Sequence, residues 1–388
     1  MMNISLGVIS LSKKRIVFLT GTRADFGKIK SLIRVSQESD NYEVYIFATG
    51  MHMNSLYGAT VDEIYKSGFK NIYPYINHDT IESMDRTMAK TIDGFSLYVS
   101  GIKPDMIVVH GDRLEAMAGA IVGSFNNILV AHIEGGEISG TIDESIRHAI
   151  SKLAHIHLVA NEEAKMRLIQ LGEFGDSIFV LGSPDLDLMN PSHLPSLDRV
   201  KEYYDIKYQE FSIAMFHPVT TEYSQISKQI KEFVDALIES KLNYIVVYPN
   251  NDLGSIEILN EYKRLENSRR FRIFPSLRFE YFLRLLQSST FMIGNSSAGV
   301  REAPYYNTPT VDIGTRQNNR VLLSSIFHSD YNKIEILNSI KKVRQYKDKN
   351  IENRHYFGEG QSDTMFLELL NSKAIWDISC QKQFQELI

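Results

Sequence analysis

Short runs of β-branched and aromatic residues recur along the chain, each ending in glycine, asparagine or a polar residue and followed by a stretch with helical spacing. In the first half these runs fall at 15–20, 43–48, 106–110, 128–133, 157–160 and 178–181. In the second they fall at 212–216, 244–248, 271–274, 291–293 and 310–313, with helical patterns such as 225–239 and 280–286 between them. Apolar runs of this kind predict strands buried on both faces, as in parallel sheets covered by helices. The pattern therefore predicts an α/β fold of two open sheets side by side, with ligands beyond the carboxyl ends of the strands. Residues 183–200 hold three of the ten prolines (Pro184, Pro191 and Pro195) without sustained periodicity, and read as a linker. The stretch 366–388 reads as helical and is expected to pack back across the first unit. The resulting division is 1–188, 189–365 and 366–388.

A length of 388 residues agrees with two or three domains of about 150 residues each. The 43% hydrophobic and 23% charged content exclude a disordered chain. With 42 basic against 47 acidic residues the net charge is −5, which argues against general nucleic-acid or anionic-membrane binding. A local basic pocket for one phosphorylated ligand stays open. The lone Cys380 can make neither an intramolecular disulfide nor a multi-thiolate metal site, which fits a reducing cytosol. Residues 1–12 are weakly apolar but their basic pair, Lys13-Lys14, follows them, so they read as a leader extension rather than a signal peptide. No apolar stretch reaches the roughly 18 residues of a membrane span, so a cytoplasmic protein is expected.

Chemistry concentrates at the strand ends. Thr20-Gly21-Thr22-Arg23-Ala24-Asp25-Phe26-Gly27-Lys28 turns from strand into helix and presents Arg23 and Lys28 where a phosphate can sit, although a plain turn with a surface arginine has the same pattern. His110-Gly111-Asp112-Arg113 and His132-Ile133-Glu134-Gly135-Gly136 end consecutive strands. Asp143 and Arg147, four apart on the next helix, share one face, as a surface ion pair or as part of a site. Asp112, Glu134 and Asp143 around Mg²⁺, or His155 and His157 around a metal, are the weaker alternatives to basic neutralisation of a diphosphate. In the second half His217-Pro218 and Pro249-Asn250 follow strands, and Gly294-Asn295-Ser296-Ser297-Ala298-Gly299-Val300-Arg301-Glu302 leads from a strand into a helix. Ser297 reads as an N-cap or as a phosphate donor, and with Gly314-Thr315-Arg316 beyond the next strand a nucleotide-diphosphate site is the better reading.

Together TGTRADFGK, HGDR, HIEGGEISGTIDESIRHA, HPVT, MIGNSSAGVREA and GTRQ resemble the hydrolysing UDP-N-acetylglucosamine 2-epimerases, the first enzymes of sialic-acid synthesis in bacteria and in the epimerase half of the bifunctional animal enzyme. The resemblance runs from about Lys14 to Arg320. It is weaker to the non-hydrolysing branch, in which Pro-Glu usually follows the first arginine and Glu-Ala-Gly replaces Glu134-Gly135-Gly136; here Ala24-Asp25 follows. The resemblance implies a GT-B fold, two Rossmann-like domains with the nucleotide sugar between them, the second holding UDP. It implies that Ser296, Ser297 and Glu302 contact the phosphates and ribose, and that Arg23, Lys28, Arg113, Asn250 and Arg316 complete the nucleotide site. It further implies that Asp112, Glu134 and Asp143, with Arg147 and His217, carry the chemistry. Position 27 is Gly where the animal enzymes have Ser.

The activity so implied expels UDP by anti elimination to 2-acetamidoglucal and then adds water to give N-acetylmannosamine. It needs no cofactor or metal, cationic support for the diphosphate from Arg23, Arg113 and His217, and carboxyl groups in different protonation states. Homodimers or homotetramers are implied as well. Alternatives are a hydrolysing epimerase of a diacetamido UDP-sugar (the legionaminic-acid pathway), a GT-B glycosyltransferase, and a nucleotide-sugar binding protein without turnover.

Overall fold

The computed structural model describes residues 13–78, 83–139, 142–318, 323–346 and 356–386. The leader reading of 1–12 lies outside them. The first sheet is parallel throughout, in the order β3-β2-β1-β4-β5-β6-β7, with β1 Lys14–Thr20, β2 Tyr42–Ala48, β3 Ile72–Pro74, β4 Met106–His110, β5 Leu129–Ile133, β6 Ile156–Val159 and β7 Ile178–Val180. The second is also parallel, in the order β10-β9-β8-β11-β12-β13: β8 Ser212–Met215, β9 Tyr244–Val247, β10 Phe271–Phe274, β11 Met292–Gly294, β12 Thr310–Ile313 and β13 Ile326–Ser329. The sequence reading misses β3 and β13. Both are short edge strands with mostly half-exposed or exposed positions, so they lack the buried apolar run that marks the others.

Strand order reverses between β1 and β4 in the first sheet and between β8 and β11 in the second. Crossovers leave these strand pairs in opposite directions, opening a crevice at their carboxyl ends. Each sheet is held by helices on both faces. Phe18, Ile46 and Val108 pack on one side of the first sheet and Phe47, Val109 and Val130 on the other. The second is built around Phe216, Phe233, Tyr244 and Phe291 on one side and Ile213, Ile245 and Leu283 on the other.

The stretch expected to be a linker is structured. Helices Asp185–Met189 and Leu197–Tyr203 lie within and just beyond 183–200, and Leu186, Met189, Leu194 and Val200 are buried in the second lobe. Burial here comes from scattered apolar residues between prolines, which a periodicity reading passes over. The chain crosses between lobes near Gly182 and returns near Gly358, where the two crossings touch: a Cβ on Gly358 (φ +117°) would stand 2.7 Å from Gly182 Cα. A boundary at 188 would fall inside helix Asp185–Met189.

The expectation of a helix over 366–388 holds only as far as Trp376. Helices Ser362–Asn371 and Lys373–Trp376 pack on the first lobe, Phe366 edge-on to Phe18 at 6.4 Å. From 377 to 386 there is no helix. Backbone groups there bond to the first lobe instead: Gln385 N–H donates to the Gly172 carbonyl at 2.9 Å, and the Cys380 carbonyl lies 3.1 Å from His155 Nε2. Among the described residues no helix is long and apolar enough to cross a membrane.

Candidate active site

The turn after β1 is shaped by Asp25. Its carboxylate accepts from the backbone N–H groups of Gly21 and Thr22, each at 2.9 Å, and from Thr20 Oγ1 at 2.6 Å, while Thr22 Oγ1 accepts from Asp25 N–H. This reciprocal cap fixes the start of helix Arg23–Glu38 and sets Arg23 at its first position, on the wall of the cleft. Burial draws the Arg23 guanidinium down from its ordinary value, and its Nε has no hydrogen-bond partner. One turn on, Gly27 abuts the second lobe: a Cβ there would lie 2.6 Å from Phe279 Cγ.

At the end of β4, Gly111 (φ +73°) turns the chain so that Asp112 faces the cleft. His132, pushed down to about 3 by burial and therefore neutral, lies 2.7 Å from the Gly111 carbonyl and supports that turn. Glu134, directly after β5, has φ +66°, a left-handed conformation costing a non-glycine residue of order 1–3 kcal/mol. Its buried carboxylate meets Arg301 at 2.6 Å, His110 Nε2 at 3.2 Å, Ser183 Oγ at 3.3 Å and Lys28 Nζ at 3.4 Å. Burial opposes its ionisation, but Arg301, Lys28 and His110 outweigh that and hold it well below the usual carboxylate range.

Helix Ile142–Leu153 carries Asp143 and Arg147 on one face, as the spacing requires. The expected partnership is rearranged, however. Arg147 is spent on the Asp112 carboxylate, with further bonds to Ser139 Oγ at 3.2 Å and the Glu137 carbonyl at 3.3 Å, while Asp143 meets Arg316 from the second lobe at 3.3 Å. Burial, reinforced by the Asp112 charge, pushes the Asp143 carboxyl up against the pull of Arg316. Two carboxyl groups at one sheet edge are thus driven in opposite directions, Glu134 toward the anion and Asp143 toward the protonated form.

On the second lobe Asn295 ties the two central strand ends together. Its Oδ1 accepts from His217 N–H at 2.6 Å and its Nδ2 donates to the His217 carbonyl at 2.8 Å. Gly294 (φ +135°) must be glycine, since a Cβ would stand 1.9 Å from the Met215 carbonyl oxygen. His217 Nδ1 accepts from Asn250 N–H at 3.0 Å, which leaves the proton on Nε2. Burial, with Arg316 and Arg113 nearby, pushes this imidazole well below its ordinary value. His217 is therefore a neutral donor, not the cation expected from the sequence. Ser296 caps the 3₁₀ turn Ser297–Gly299 by accepting from Ala298 N–H at 3.3 Å, and the helix that follows, Glu302–Tyr305, is only four residues long. The N–H groups of Ala298, Gly299, Val300 and Arg301 are all taken up within this turn, so the loop presents no free helix terminus to the cleft.

The facing edges close over a cavity of about 270 Å³. Asp143 apart, every site residue named from the sequence lines it: Arg23, Lys28, Asp112, Arg113, Glu134, Arg147, His217, Asn250, Ser296, Ser297, Glu302 and Arg316. One end is apolar, with Val247, Pro275, Leu277, Phe279 and Phe282. Ion pairs cross the cleft: Arg113 with Asp252 at 3.4 Å, Lys30 with Glu280 at 2.5 Å and Arg278 with Glu63 at 3.0 Å, besides those of Arg301 and Arg316. Lys28 does not project freely as a phosphate ligand; Glu134, Glu302 (3.6 Å) and Asp185 (3.8 Å) surround its ammonium. Burial, with Asp185 adding to it, raises Glu302 despite Lys28 and Arg301, and Glu302 Oε2 accepts no hydrogen bond from the protein.

The sequence reading misses Arg301, Ser183, Asp185 and Asn295. Arg301 stands in the loop already singled out, between Ser297 and Glu302, whereas Ser183 and Asp185 sat in the presumed linker. The carboxylates imagined around Mg²⁺ each face a cation, and among the described residues no cluster of His, Cys, Asp or Glu has metal-binding geometry. His155 and His157 make ordinary bonds, His155 Nδ1 accepting from Val130 N–H at 3.0 Å and His157 Nε2 lying 3.0 Å from Glu173.

Residues 34–371 match the family model described as UDP-N-acetylglucosamine 2-epimerase. The chain belongs to the UDP-N-acetylglucosamine 2-epimerase family. A relative of that name from Neisseria meningitidis serogroup B is 47% identical over 375 residues, covering 96% of this chain and 99% of its own. The UDP-N,N'-diacetylbacillosamine 2-epimerase (hydrolyzing) of Legionella pneumophila is 33% identical over 364 residues, covering 92% and 96%. Among solved structures, the UDP-GlcNAc 2-epimerase of Methanocaldococcus jannaschii in complex with UDP-GlcNAc and UDP shares the fold with a TM-score of 0.79, at 20% identity and covering 92% of this chain and 99% of its own. The two parallel sheets of this UDP-N-acetylglucosamine 2-epimerase family member are the GT-B-like α/β arrangement expected.

Proposed function

We propose that the protein is a hydrolysing UDP-N-acetylglucosamine 2-epimerase, converting UDP-GlcNAc and water to N-acetylmannosamine and UDP for sialic-acid biosynthesis, as a cytoplasmic homo-oligomer. The observation that carries this reading is the gathering of three carboxyl groups, Asp112 paired with Arg147, Glu134 held ionised and Asp143 pushed up, on the lobe facing a basic loop. The base would occupy the apolar end, the ribose hydroxyls would donate to Glu302 Oε2, and the diphosphate would lie among Arg23, Arg113, Arg316, the turn at Ser296 and Ser297, and the Nε2–H of His217. Such fixed donors stabilise charge on the departing oxygen without reorganisation.

In the first step Asp112, ion-paired to Arg147, takes the C2 proton as the C1–O bond breaks and its electron pair leaves with UDP, forming the C1=C2 bond of 2-acetamidoglucal. In the second, a proton supplied by Asp143 reaches the opposite face of C2 and the oxygen of water bonds to C1; the proton that water gives up restores Asp143, and Asp112 sheds its own to solvent. Glu134 is too stabilised an anion to be an efficient base. It acts on the positive charge that develops at C1. Water is the only co-reactant, and no cofactor or metal is needed.

Incubation with UDP-GlcNAc in D₂O tests the scheme. Free N-acetylmannosamine with deuterium at C2 and equimolar UDP is expected. A UDP-linked epimer, or retained C2 hydrogen, overturns it. The name of the Legionella relative supports a second reading, a diacetamido UDP-sugar as substrate, so UDP-N,N'-diacetylbacillosamine belongs in the same experiment.

A further inference from the structure

Arg301 has no part in the scheme above, yet its side chain joins the second lobe to several parts of the first. It is 4% exposed and lies four residues beyond Ser297 in the loop assigned to the diphosphate. One terminal nitrogen meets Glu134 at 2.6 Å and Ser183 Oγ at 2.5 Å, and the other meets Glu137 at 2.5 Å. Asp185 stands 4.0 Å away, and the guanidinium carbon sits 4.5 Å from the ring centre of Phe357. Ser183 belongs to the first chain crossing and Phe357 to the second, and the two are joined directly, Ser183 N–H donating to the Phe357 carbonyl at 2.6 Å. A planar fork can hold two carboxylates and a hydroxyl at once while stacking on an aromatic ring; a compact ammonium cannot.

We propose that Arg301 is a positioning residue that joins the diphosphate loop to Glu134 and to both chain crossings, so that seating the nucleotide and aiming the Glu134 carboxylate are one event. The inference rests on the reading of the cavity as a UDP-sugar site. Glu134 stands in a left-handed backbone conformation, and the Arg301 fork is the closest cation to its carboxylate. The other charged or titratable groups facing that carboxylate are Lys28 from helix Arg23–Glu38, His110 from the end of β4 and, farther off, Arg147; Glu137, Asp185 and Glu302 share the same cations. Lys28 and His110 remain when Arg301 is removed, so Glu134 would keep much of its charge and lose its aim.

The test separates charge from geometry with R301Q and R301K. For R301Q the expected result is a fall in kcat of about 100-fold, the scale of a misplaced group, with UDP affinity changed less than about fivefold. The titration of the Glu134 carboxyl, followed by carbon-13 NMR, should also move up as Glu134 loses its nearest cation. R301K should restore that titration but not kcat. Ser183→Ala and Phe357→Leu, outside the cavity, should lower kcat with KM unchanged. Full recovery in R301K, a wild-type Glu134 titration in R301Q, or loss of UDP binding in step with kcat would overturn the proposal. Hydrogen exchange gives a readout independent of turnover: UDP should protect peptides spanning 182–189 and 356–361 in the wild type and not in R301Q. An enzyme that turns over no UDP-sugar refutes the functional reading, while equal UDP protection in wild type and R301Q refutes the role of Arg301.

Discussion

Gly27→Ala adds a single carbon where the two lobes meet. The new Cβ would stand 2.6 Å from Phe279 Cγ, 2.7 Å from its Cβ and 2.9 Å from Cδ1, against roughly 3.5–4.0 Å for carbons at their best separation. A rotamer change of Phe279 cannot relieve the approach to its Cβ, so helix Arg23–Glu38 and helix Phe279–Ser288 must part by close to an ångström. Overpacking of this kind costs about 1–3 kcal/mol. It falls on the arrangement in which the two helices touch, the one that forms the cavity. A cost of that size should lower kcat/KM, and the association constant of UDP, by about 5- to 150-fold. UDP release gives the first quantity and calorimetry the second. Phe279→Ala removes the ring atoms but leaves the Cβ at 2.7 Å, so Gly27→Ala should cost less in that background than in the wild type, the F279A single variant being the reference because its ring also lines the cavity. A G27A enzyme with wild-type kcat/KM and UDP affinity would refute the reasoning, and so would a Gly27→Ala cost undiminished in the F279A background.

Asp143→Asn should release UDP and accumulate 2-acetamidoglucal, and Asp112→Asn should yield neither, each slowed by about 10²–10⁴-fold in its own step, with proton NMR of the products as the check. Because burial and Asp112 raise Asp143, the acid it supplies is present below that raised value and lost as pH rises through it, so kcat should fall on the alkaline side. Glu134 is lowered instead, so the stability it contributes is complete above the unfolded carboxylate value of about 4.3 and lost as pH falls through its depressed value, which unfolding midpoints against pH would record. His217→Gln, which keeps an N–H donor, should hold UDP better than His217→Ala, whose loss of about 10- to 100-fold matches one hydrogen bond to a charged group; that loss should be flat from pH 6 to 9, since the imidazole is neutral throughout. Phe366→Ala should cost about 3–5 kcal/mol in denaturant unfolding without altering UDP affinity, as its ring lies in the first-lobe core.

The doubly wound sheets were readable from the chain because buried parallel strands are continuous apolar runs and their ends carry the charges. Edge strands β3 and β13 were not, since half-exposed triplets and quartets look like loop. Within the site, local spacing correctly put Asp143 and Arg147 on one helical face but could not say whom each would meet. Arg147 found Asp112 from a neighbouring strand end, and Asp143 found Arg316 from the other lobe. Lys28 shows the same limit more sharply: its sequence neighbourhood suggests an anion ligand, and only folding brings Asp185 and Glu302 around it. His217 reads as a basic residue until the Asn250 N–H is seen to occupy its Nδ1. What sequence conveys is the inventory at each strand end; the pairing is a property of the tertiary arrangement.

Gly182 and Gly358 bring both connections between the lobes to a single point of contact. Two tethers fastened at one spot let the halves swing but resist sliding or twisting apart. A parting of the halves would therefore turn about that point, and the opposing charged edges would meet again in the same register. An added methyl at either glycine would split the pivot in two and turn a one-dimensional movement into a wobbling one.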